Sequence, residues 1–235
     1  HTGAMTVENG ATLRLQNNAT GVIAADSVVT GGGTVIVNNY NAGGRLIAFA
    51  GRYELTGATQ MLNGTAIVSP TASFSTGSLW LNSGRLEPHT VITVTDVMTW
   101  TSATLAGPGS TYVAQRIVLE SGNRLLDGHT LINGGQAQWA GTIRGANNAV
   151  WRNLPGATLD IPGDANTYYW DLGAQPAVLN EGTLRKVAPG TPANVAGMVT
   201  NSGVIEVISG TLNLRAGSMT TGLLRVNEGA ALNLN

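Results

Sequence analysis

Apolar and polar positions alternate along this chain in runs of about four residues, and nearly every run is bounded by glycine, asparagine or proline. Thr34-Val35-Ile36-Val37, Thr65-Ala66-Ile67-Val68, Ser78-Leu79-Trp80-Leu81, Val91-Ile92-Thr93-Val94, Arg116-Ile117-Val118-Leu119 and Thr158-Leu159-Asp160-Ile161 are of this kind. A period of two sends successive side chains to opposite sides of the backbone, so each run predicts a short strand with one buried side. Windows with apolar residues at three-to-four spacing are nearly all broken by Gly, Pro or Asn-Gly, and no helix is predicted.

The breaks recur. Asn180-Glu181-Gly182, Asn201-Ser202-Gly203 and Asn227-Glu228-Gly229 each precede an alternating run, with looser copies at Asn82-Ser83-Gly84 and Asn133-Gly134-Gly135 and shorter ones at Asn9-Gly10 and Ser209-Gly210. A turn-plus-strand unit repeated at roughly 20-residue intervals cannot bury its own apolar edge and must stack on its neighbours. The predicted fold is therefore an all-β parallel solenoid, a β-helix, with Leu184, Ile205, Val207, Leu212 and Leu214 pointing inward. Strands spaced ~4.8 Å apart would make it a rod about 50–55 Å long. At the corners, glycine accepts positive φ without steric cost and asparagine tolerates it. Asn133, Asn153, Asn180 and Asn201 lie 20, 27 and 21 residues apart, a phase that would let their amides form a ladder from coil to coil. The competing reading is an antiparallel sandwich or meander, in which Asn-Gly marks two-residue hairpins. A hairpin protein has no reason to keep a near-constant interval, which favours the solenoid.

Composition narrows the function classes. With 32 glycines and only 11% charged residues, the chain reads as many short strands and tight turns. Basic residues are scattered singly and the formal charge is −1, so there is no electrostatic footprint for nucleic acid or for a polybasic membrane contact. No apolar run is long enough for a transmembrane helix. Cysteine is absent, which excludes disulfides, thiolate metal sites and cysteine nucleophiles. His1-Thr2-Gly3-Ala4-Met5 lacks the charged-then-apolar order of a signal peptide and reads as a tag or cloning remnant. Residues 6–235 then form one elongated domain, a fragment of a longer protein whose export signal lies elsewhere.

The stretches Val178 to Lys186 and Val199 to Leu214 resemble the repeats of right-handed β-helical bacterial surface and secreted proteins, among them filamentous-haemagglutinin-like adhesins and autotransporter passengers. The similarity is clearest over residues 130–235. It implies a right-handed coil, display at the bacterial cell surface or secretion, and a role in adhesion, with a glycan or a protein of a host or neighbouring cell as partner.

Parallel β-helices also include polysaccharide lyases and glycoside hydrolases, which need converging carboxylates beside a base. Asp160, Asp164 and Asp171, with Arg144 or Arg152, are the candidates for such a site. His89, in a Glu87-Pro88-His89 turn, and His129 lack metal-ligand spacing and an orienting partner, and read as corner residues. No serine sits in a Gly-x-Ser-x-Gly elbow, and Gly31-Gly32-Gly33 opens no helix and carries no phosphate-loop ending. Neither a cofactor nor a metal is expected. The stretch Gly163 to Asp171 stands out, because it fills the longest interval between ladder asparagines with three consecutive aromatics flanked by acids. Asp164, Tyr168, Tyr169, Trp170 and Asp171 are the candidate ligand-binding residues: rings can stack on a sugar while carboxylates accept its hydroxyl protons. Trp80, Trp100, Trp139 and Trp151, about one per coil, are expected inside the solenoid or along a corner.

Overall fold

In the computed structural model, which describes residues 1–16, 20–39, 46–120, 122–163, 165–169 (backbone only), 173–215 and 217–235, the chain makes a β-solenoid of about 11 turns. Among the described residues there is no helix, and every strand pairing is parallel. A turn consists of three short strands. Val91–Val94 lies on the first face, Val97–Trp100 on the second and Thr104–Ala106 on the third. The next turn repeats them as Ser110–Val113, Arg116–Leu119 and Arg124–Asp127. The third face forms a sheet of 11 strands. The other two faces merge into one sheet, because Arg52–Asn63 and Ser73–Leu81 run unbroken through the corner between them.

Alternation within each strand produces the core. Leu184, Ile205, Val207, Leu212 and Leu214 are all buried, as their positions in the alternating runs require. In register these side chains form vertical files: Ile117, Ala137, Leu159, Leu184 and Ile205 stack directly on one another on the second face. Aromatic residues pack against one another inside the coil. Tyr53 and Phe74 stack face to face at 4.3 Å, and Phe49 meets both edge-on. Trp100, Trp139 and Trp151 are buried, whereas Trp80 is 38% exposed on the outer side of the second face, neither inside the solenoid nor along a corner as expected. The reason is parity, since Leu79 and Leu81 take the inward positions of that strand and leave the residue between them outside.

The Asn-x-Gly repeats divide between two corners. Those at Asn133, Asn180 and Asn201 turn the chain from the first face to the second, whereas Asn82-Ser83-Gly84 and Asn227-Glu228-Gly229 turn it from the second face to the third. At the second-to-third corner the glycine does adopt positive φ, +83° at Gly84 and +73° at Gly229. At the first-to-second corner Gly182, Gly203 and Gly222 do not, and the positive-φ explanation is corrected there: a Cβ on Gly203 would lie 2.1 Å from the Gly182 carbonyl oxygen. Close backbone approach between coils, not dihedral freedom, demands glycine at that position. The Glu87-Pro88-His89 turn is corrected too. Glu87 and Pro88 end the third-face strand Arg85–Pro88, and the bend begins at His89.

Candidate functional site

The inner side of the first-to-second corner carries the amide ladder. Asn133 Nδ2 donates to Asn153 Oδ1 at 2.8 Å, Asn153 to Asn180 at 2.8 Å, Asn180 to Asn201 at 2.6 Å, and Asn201 to Thr220 Oγ1 at 2.9 Å. The four asparagines are buried, and each Nδ2 also reaches a backbone carbonyl, as Asn180 does to Val204 at 2.8 Å. Below them the same file holds Leu55, Thr76, Val94 and Val113, so the ladder takes over at Asn133 from a column that is apolar except for Thr76. Lower down, Tyr53, Thr59 and Thr76 link hydroxyl to hydroxyl at 2.7 and 2.9 Å. Burial drives the Tyr53 phenol pKa upward. These networks join coil to coil, and the asparagine ladder ends at the exposed Thr220.

Three buried basic side chains lie away from the ladder: His129, Arg124 and Lys186, the last donating from Nζ to the Ala188 carbonyl. His129 accepts at Nε2 from the Thr111 hydroxyl at 2.9 Å and donates from Nδ1 to the Gly107 carbonyl at 3.2 Å. Desolvation pushes its pKa down to about 4, so the imidazole is neutral at physiological pH. Arg124 has no carboxylate partner among the described residues. Its guanidinium instead donates to the carbonyls of Glu120, Trp100, Thr101 and Ala140, and burial lowers its pKa only to about 10, leaving it charged. His129 and Arg124 hold the backbone of adjacent turns together.

Of the residues named for catalysis, the three that the structure describes lie on different faces. Arg144 lies on the third face, Arg152 on the first and Asp160 on the second. Arg152 forms a bidentate pair with Glu181 at 2.9–3.2 Å, and Asp160 another with Arg185 at 2.7 and 2.8 Å. Asp164, Trp170 and Asp171 lie outside the described residues. Tyr168 and Tyr169 belong to the third-face strand Ala165–Tyr169, paired with Gly141–Ala146, and their side chains are outside the described part. Among the described residues no group of three or more His, Asp or Glu is arranged to hold a metal.

A surface feature that the linear sequence hides lies on the outside of the first-to-second corner. Register aligns Ala11, Gly33, Gly57, Gly77, Asp96, Gln115, Gly135, Ala157, Gly182, Gly203 and Gly222 in one column. Every member is glycine or alanine except Asp96 and Gln115, which sit in consecutive coils. With Val97, Arg116 and Gln136 they line an open groove of about 600 Å³. Backbone carbonyls there are engaged, Arg116 N donating to the Asp96 carbonyl at 3.0 Å and Gln136 N to the Gln115 carbonyl at 2.7 Å. Asp96 and Arg116 form no ion pair with each other or with any described residue, although they belong to adjacent coils. Trp80, the exposed indole, lies on the same face, directly beneath Thr99 of the Val97 strand. Asp96, Gln115 and Gln136 are about 20 positions apart, so only the repeat register, with two polar side chains where the other coils have glycine or alanine, could have signalled them.

Comparison with protein-family models, with curated proteins and with solved structures gives no match for this chain.

Proposed function

We propose that this chain is a non-catalytic β-solenoid segment of a bacterial surface or secreted adhesin, serving as a stalk or spacer that carries ligand contacts on its outer faces. The observation that carries this reading is how polar groups are used. The buried ones join one coil to the next through the asparagine ladder, Arg124 and His129, and charged outer ones pair between coils, as Asp160 with Arg185 and Glu206 with Arg225 at 3.2 Å. A stack tied together in this way supplies reach and stiffness, with binding delegated to side chains that project from it. The stretch 163–171, with Asp164, Tyr168, Tyr169, Trp170 and Asp171, is the proposed contact for a glycan or a cell-surface protein. Against the alternative, a polysaccharide lyase or glycoside hydrolase using Asp160, Asp164 and Asp171 with an arginine, stands the engagement of Asp160 by Arg185 on the second face, away from Arg144 on the third and Arg152 on the first.

A glycan array run beside a reducing-sugar release assay tests both readings. The stalk predicts binding without release, weakened at least tenfold by Tyr168→Ala with Trp170→Ala. Polysaccharide cleavage abolished by Asp164→Ala would replace it with the enzyme.

A further inference from the structure

The corner column is where this fold least tolerates side chains, since at Gly57, Gly135, Gly182 and Gly203 a Cβ would lie within 2.4 Å of a backbone carbonyl one coil below. Two successive coils nevertheless place Asp96 and Gln115 there, and both side chains are exposed and make no hydrogen bond to a described protein group. Packing or folding gains nothing visible from this departure. What the departure creates is a groove presenting one carboxylate, two carboxamides and one guanidinium, all planar groups with several donor or acceptor positions.

We propose that this groove, formed by Asp96, Gln115, Arg116 and Gln136, binds an uncharged oligosaccharide; the Trp80 indole, outside the groove and donating from Nε1 to Thr101 Oγ1 at 3.4 Å further along the same face, offers a second contact to a chain long enough to reach it. The charges of Asp96 and Arg116 cancel, so the site offers no net attraction for a polyanion. It has no enclosed apolar pocket for the aromatic or arginine anchor of a protein partner. Carboxylate and amide oxygens accept from sugar hydroxyls, amide and guanidinium N–H groups donate to them, and an exposed indole offers an apolar surface to a ring's C–H face. The open shape suits a chain lying across successive coils. This site is separate from the stretch 163–171 and stands or falls independently of it.

Affinity electrophoresis of the whole chain through native gels cast with neutral xylan, β-glucan or glucomannan tests the proposal, with polygalacturonate and heparin as anionic counterparts. Retardation is expected in at least one neutral polymer and in neither polyanion. Asp96→Gly with Gln115→Gly restores the column of small residues, so this variant should unfold in urea at the same or a higher midpoint while the apparent affinity falls at least tenfold. Trp80→Ala should weaken it about threefold or more, and Arg52→Ala on the first face should change nothing. Absence of retardation in every neutral gel overturns the proposal. So does retardation that the double glycine variant retains within twofold, or that Arg52→Ala weakens equally.

Discussion

At the scale of single residues, the same amino acid has opposite energetic weight according to which side of a strand it occupies. Asn180 sits buried between Asn153 and Asn201, so Asn180→Ala deprives one neighbour of an acceptor and the other of a donor. Leaving buried amide groups unmet costs about 1–3 kcal/mol each, and a loss of roughly 2–4 kcal/mol is expected from the urea midpoint. Asn233 donates to Asn213 at 2.7 Å in a similar pair, but on an exposed surface. There Asn233→Ala should fall within about 0.5 kcal/mol, because water replaces the partner. His129 gives a pH signature. Its folded-state pKa of about 4 lies below the ordinary 6.5, so the unfolded chain takes up the proton first. Stability is fully present above about 6.5 and declines as pH falls towards 4, by on the order of 3 kcal/mol in all. Urea midpoints measured from pH 7.5 to 4 should slope accordingly, and His129→Gln should flatten that slope. Glu87, held low chiefly by its hydrogen bond from Arg85, adds a further decline only below its ordinary value of 4.5.

At the scale of strands and corners, glycine has two separate duties, and substitution distinguishes them. Gly229→Ala forces an alanine to φ near +73° with open space around it, which costs about 1–2 kcal/mol. Gly203→Ala meets no unfavourable φ but drives a methyl group against the Gly182 carbonyl, and parting two coils should cost about 3 kcal/mol. Paired urea titrations would reverse this order if dihedral strain governed both corners. Arg124 is the corresponding device made from a side chain. It replaces the hydrogen bonds that corner carbonyls would otherwise draw from water, so Arg124→Met should destabilise by about 3 kcal/mol or more, and Arg124→Lys, with fewer donors in a different geometry, should recover only part of that. The element boundaries were largely legible beforehand: Val91–Val94, Arg116–Leu119 and Thr158–Ile161 coincide with the alternating runs read from the sequence. Trp80 departs from the place expected of a tryptophan occurring once per coil, because the parity set by Leu79 and Leu81 turns it outward.

For the whole molecule, nearest-neighbour stacking implies that a complete coil is a removable unit and part of a coil is not. Deleting residues 181–201 takes out the 21-residue step between Asn180 and Asn201 and joins Asn180 to Ser202, leaving all three faces in phase. That variant should fold into a rod about 4.8 Å shorter by small-angle scattering. Deleting residues 181–190 instead sets second-face strands against third-face ones, and it should lose cooperative unfolding and its β-sheet circular dichroism. The candidate binding surfaces were less legible than the fold. Asp164, Tyr168, Tyr169, Trp170 and Asp171 stood out as a contiguous cluster, whereas Asp96, Gln115, Arg116 and Gln136 are unremarkable until coils are aligned. By itself the sequence determined the all-β class, the inward files and the need to stack, because alternation and turn chemistry are properties of neighbouring residues. Only the tertiary structure decided which corner each Asn-x-Gly serves, that Asp160, Arg152 and Arg144 point from different faces, and that two polar side chains stand in a glycine column. Those outcomes depend on register between residues one coil apart, and register accumulates from every turn length along the way, including the 27-residue step from Asn153 to Asn180.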